Sequence, residues 1–137
     1  MPLEELKVRI DTIEKTYEFT LAYAAQGLSG DEGSKSGEEL RRLLKECDDA
    51  MGGLADLFRK VVAQEKLDPE ATFHTFIDVL EQDVQKARAA LQLTLVQPSI
   101  SSQLVDNLNA SIHVRTLLTD MFLVDEIVKK RLGGQSP

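Results

Sequence analysis

A chain of 137 residues, 42% of them hydrophobic and 28% charged, is the length of one globular domain with material for a single core. A net charge of −7, with basic residues interleaved among acids as in EELRRLLKECDD, argues against nucleic acid as a partner, because phosphate backbones are held by clustered Lys and Arg. No apolar run approaches the roughly 18 residues of a membrane span, MPLEELKVRID lacks the apolar stretch of a secretory signal, and the single Cys47 permits no intrachain disulfide, so a cytoplasmic protein is expected.

The first helix is predicted over about 2–27, with Pro2 in the first turn and Glu4 and Glu5 where the helix dipole favours acids. Its apolar face reads Leu3, Leu6, Ile10, Ile13, Tyr17, Leu21, Ala24 and Leu28. Residues 29–37, SGDEGSKSG, break every periodicity and predict a mobile loop. The second helix, about 37–65, opens on Ser36-Gly-Glu-Glu39 read as a capping box. Its stripe runs Leu40, Leu43, Leu44, Cys47, Met51, Leu54, Phe58, Val61 and Val62. The stripe keeps its phase across Gly52-Gly53, which predicts one helix through the pair.

Asp68-Pro69-Glu70 predicts the start of a third helix, 69–96, with Asp68 as its cap. Phe73, Phe76, Ile77, Leu80, Val84, Ala87, Leu91 and Leu95 form its face. Pro98-Ser99 separates it from a fourth helix, 99–132, whose first stripe is Ile100, Leu104, Leu108, Ile112, Leu118 and Phe122. Gly133-Gly134 stops that helix, Lys129 to Arg131 complement the dipole in its last turn, and 134–137 reads as a frayed tail. With no strand pattern, matched long helices and short second and third connections, the fold expected is all-α: one domain forming an antiparallel, up-down-up-down four-helix bundle.

After His113 the fourth helix carries a second apolar stripe, Val114, Leu117, Met121, Val124 and Val128, about 100° from the first. Phe19 and Tyr23, at i and i+4 on the first helix, also lie off their main stripe. Five such side chains in water invite association, so these seven residues are the expected interface of a homodimer, or of a complex with another protein.

Chemistry-bearing residues are sparse. Glu70, His74, Asp78 and Glu81, spaced by four and three, share one flank of the third helix and are types that suit a divalent metal. A solvated acidic flank with one partly exposed histidine is the favoured account of them. Glu14, Tyr17 and Arg115 fall close to the core stripes, where a charge must be paired, and are expected to join as a polar cluster between the first and fourth helices. Cys47 is in phase with core leucines, and no Gly-x-Ser-x-Gly, phosphate loop or dinucleotide-binding glycine pattern is present. No cofactor is expected. The reading is a non-catalytic helical interaction module, an adaptor, assembly factor or regulatory subunit. The competing reading is a metal- or small-molecule-binding bundle, or an enzyme built on one.

Overall fold

The computed structural model describes residues 1–133, which are helical with no strand among them. Six α-helices follow in order: α1 (Pro2–Ala25), α2 (Lys35–Met51), α3 (Leu54–Gln64), α4 (Glu70–Leu95), α5 (Ser102–Ala110) and α6 (Ile112–Val128). A π-helical turn, Lys129–Gly133, continues from α6. The predicted frayed tail lies outside the described residues. No helix among them is long and apolar enough to cross a membrane.

Two of the four predicted helices are thus broken, and each break has a local cause. At Met51 the chain leaves the helix: Gly52 is extended and Gly53 takes the left-handed conformation, φ +74°. That region costs an L side chain about 1–2 kcal/mol, so the second glycine selects this site for the turn. The carbonyls set free at Ala50 and Gly52 accept hydrogen bonds from the Arg9 guanidinium of α1, 3.3 Å to Ala50, and Glu5 steadies Arg9 from one turn away at 2.8 Å.

The other break is at Ser111, whose backbone amide closes α5 on the Leu108 carbonyl, 3.1 Å, while its hydroxyl accepts from the His113 amide at 3.3 Å. An added residue in extended conformation resets the helical phase. Beyond it the inward face becomes Val114, Leu117, Leu118, Met121, Val124 and Val128, all buried, while Ile112 and Phe122 point outward. The second stripe, expected to meet another chain, is therefore the core of this one. Tyr23 is fully buried as well, and Phe19 is half-buried, stacked on Tyr23 with centroids 6.5 Å apart. In α1 the core face runs through Leu6, Ile10, Ile13, Thr16, Thr20 and Tyr23, and Leu21 is turned to the outside.

The stretch expected to be a mobile loop is tied down by a buried polar hub. Asp31 is buried, receives Nε and Nη2 of Arg41, and accepts the Ile100 backbone amide at 2.6 Å. Arg41 also donates to the carbonyls of Leu95 and Gln97 at 3.0 and 2.9 Å. The Tyr23 hydroxyl donates to the Ile100 carbonyl, 2.7 Å, and Ser102 bonds both Tyr23 and Leu28. One carboxylate and one guanidinium thus fasten the α1–α2 connection to the α4–α5 connection. α2 begins at Lys35 under a Ser34 cap, not the Ser36 box, with the Ser34 hydroxyl accepting from Gly37 at 2.9 Å. Gly37 is required there because a Cβ would fall on the Asp31 carbonyl. At the other end α4 starts at Glu70 without a side-chain cap, and Asp68 instead receives Arg131 on its carbonyl, 2.7 Å.

Helix α1 packs on α2, α3 and α5, and α4 packs on α2, α3 and α6. Their shared interior is continuous and mostly aliphatic, with Phe58 meeting Phe73 edge to face at 6.4 Å. A cross-helix ion pair, Arg88 to the buried Asp48 at 2.9 Å with Gln92 alongside, ties α4 to α2.

Candidate functional site

The predicted metal flank does not assemble. Asp78 and Glu81 turn toward α3, where Arg59 pairs with Asp78 at 2.8 Å, Asp56 at 2.8 Å and Glu81 at 3.6 Å. Behind them His74 Nε2 lies 3.2 Å from Glu70 Oε1 on the same helix. Among the described residues no three His, Cys, Asp or Glu side chains converge to hold a metal. A guanidinium seated between the carboxylates already supplies the positive charge that a cation would bring.

The predicted polar cluster is also dispersed. Arg115 is exposed on α6 and enters none of the ion pairs found among the described residues. Glu14 faces Asp125 of α6, with Lys129 beside it, and burial followed by repulsion from Asp125 pushes its carboxyl upward. Tyr17 borders a small internal cavity instead, together with Thr16, Thr20, Cys47 and Asn109; its volume is about 30 Å³. Cys47 is buried there, and loss of solvation pushes its thiol up to about 12, far from the range of a nucleophile.

Large apolar side chains remain outward at several places, Val8, Leu21, Leu93 and Val96 among them, and three lie on α6. Ile112, Phe122 and Leu123 are 71%, 51% and 50% exposed, and Val79 of the neighbouring α4 is 47% exposed. At the α5–α6 joint an open hollow is bordered by Ala110, Ile112, Arg115, Thr116, Thr119 and Asp120. Asp120 stands within hydrogen-bonding reach of Asp83 on α4, and one of its oxygens, Oδ2, is shut away from solvent with no donor. Burial first, then the neighbouring Asp83, raises the Asp120 carboxyl to about 7. The pair can hold one proton between its members near neutrality. It offers neither the third ligand of a metal site nor an adjacent nucleophile.

Sequence reasoning missed Asp31, Asp48, Asp83 and Asp120. Asp31 had one available signal: an acid and an arginine ten residues apart across a glycine-rich loop and a helix start. The other three sit in ordinary charged stretches, and only the packing distinguishes them. No family model, no curated protein and no solved structure matches this chain.

Proposed function

We propose that the protein is a non-catalytic helical interaction module, an adaptor, assembly factor or regulatory subunit, that docks through the outward face of α6. In this reading the six helices act as four antiparallel rods in up-down-up-down order. α2 with α3 and α5 with α6 are each one rod in two pieces. The contacts of α1 and α4 with both broken rods support that arrangement, as does the approach of Arg131, beyond α6, to Asp68 before α4.

The observation that carries the docking proposal is the set of large apolar side chains that α6 leaves outside, Ile112, Phe122 and Leu123. Covering such a side chain is worth roughly 1.5–3 kcal/mol when complete, so half-exposed residues on one helical face favour association. A second copy of the chain is the first partner to test, since two-fold pairs are the commonest closed assemblies. This moves the homodimer proposal from the stripe that the fold buries to the face that it leaves free. Cytoplasmic residence belongs to the same reading, and one buried, unpaired cysteine suits a reducing compartment.

Light scattering of the wild type and of Phe122→Glu/Leu123→Glu, with helicity followed by circular dichroism, tests the proposal. The expected result is a wild-type dimer that becomes a helical monomer in the double variant. A wild type that stays monomeric at its highest soluble concentration would refute the homodimer. An unchanged dimer carrying both charges would refute this face.

A further inference from the structure

Helix α6 is bordered by carboxyls on two sides. On its α4 side Asp120 meets Asp83, and on its α1 side Asp125 meets Glu14. The two seams differ in their compensation. Lys129 approaches Asp125 at 3.1 Å and offsets the α1 seam. At the α4 seam no cation answers: Asp83 is the charge that bears on Asp120, and neither α1 nor α5 places a titratable group against it among the described residues. Arg115, on α6 itself, borders the same hollow without pairing.

Asp120 Oδ2 is the decisive atom. It is buried and has no N–H or O–H within reach, while its neighbour is another carboxylate. Two ionised carboxylates offer each other only acceptors, so this contact becomes a bond only when one of them carries a proton. We propose that Asp83 and Asp120 form a proton-operated clasp between α4 and α6, closed while the pair shares a proton and strained open when both groups ionise. The proton is taken from and returned to solvent, and no other group changes state. The clasp governs how firmly α6 is seated, whether or not its outer face docks a partner.

The direction follows from the contrast with the unfolded chain, where an Asp ionises near pH 4. A carboxyl held protonated in the folded state contributes stability that is complete below that pH and is lost as the pH rises through about 7.

Carbon-detected carboxyl titration of the wild type, with amide hydrogen exchange at pH 5.5 and 8.5 corrected for intrinsic rates, tests the clasp. The expected results are a member of the pair titrating near neutrality and exchange in α6 at least about tenfold faster at the higher pH, the ratio that corresponds to one pKa unit. Asp120→Asn, which keeps a donor for Asp83, should abolish that difference. Both carboxyls titrating near 4, or equal pH dependence of α6 exchange in wild type and Asp120→Asn, would overturn the proposal. Should the variant fail to fold, the wild-type titration decides alone.

Discussion

Replacing Asp31 by alanine removes the knot that joins the two connections at one end of the molecule. The Ile100 amide, 2.6 Å from Asp31, would lose its acceptor in a buried setting, at a cost of about 1–3 kcal/mol. The charge-assisted bonds to Arg41 would go too, each kind worth about 1.5–3 kcal/mol. Arg41 is 34% exposed and keeps the carbonyls of Leu95 and Gln97, so it can turn partly to water and the full penalty for an orphaned buried charge does not apply. A net loss of about 3 kcal/mol is expected, and a melting temperature lower by roughly 9–15 °C for a domain of this size. Circular dichroism at 222 nm during urea and thermal unfolding measures it. In an Asp31→Ala/Arg41→Met double variant the penalty should be smaller than the sum of the singles. Arg41 holds the Asp31 carboxyl below the usual range, so its contribution is present above about pH 4 and disappears as the pH falls through the lowered value. Accordingly, the gap between wild type and variant should narrow as the pH falls. A loss under 1 kcal/mol at pH 7, or a gap that stays the same from pH 7 into acid, would refute the assignment of Asp31 as the anchor.

Neighbouring residues on α6 should respond oppositely: Met121→Ala costs about 2–5 kcal/mol in urea unfolding because its side chain is buried, whereas Phe122→Ala stays within about 1 kcal/mol in the monomer. Two glycines should separate likewise. Gly53→Ala meets open space and costs about 1–2 kcal/mol for its left-handed backbone alone, while Gly37→Ala collides with the Asp31 carbonyl and costs more in the same assay. In native-state hydrogen exchange, amides of α6 should open at lower free energy than those of α3; the reverse order would refute the difference between the two helix breaks argued below.

The helical class, the extent of α1 and α4, and most of the core could be read from periodicity, because a 3.6-residue pattern survives whatever the neighbours are. The failures occurred where periodicity is interrupted by a single residue. Ser111 is an unremarkable polar residue within an otherwise helical run, yet one extended backbone unit there rotates everything after it. A stripe placed outside the bundle by continuing the phase from Leu104 and Leu108 is thereby turned inward. At Gly52-Gly53 the composition did signal a break, but the apolar phase resumes at Leu54 and conceals it. The candidate sites fared worse for a related reason. Spacing along one helix places Glu70, His74, Asp78 and Glu81 on a flank, but what faces that flank is set by α3, and Arg59 stands there. Asp83 and Asp120 are 37 positions apart, with nothing in either local sequence to pair them.

The two helix breaks are not equivalent, and the difference locates the least stable part of the fold. At Gly52 the freed carbonyls are capped by Arg9, a charged donor reaching across from α1. At Ser111 no side chain from another helix fills that role among the described residues. The Asn109 side chain of α5 meets the Thr20 hydroxyl of α1 at 3.0 Å, which joins these two helices and leaves the break itself uncapped. The adjoining cavity of about 30 Å³ forfeits ~0.7 kcal/mol at about 24 cal/mol per Å³. Asp120, nine residues beyond Ser111, adds a carboxyl that only a proton can satisfy. These terms fall on the α5–α6 rod and its neighbours and spare α3. By these terms α6, which presents Ile112, Phe122 and Leu123 to the outside, is held less firmly than α3.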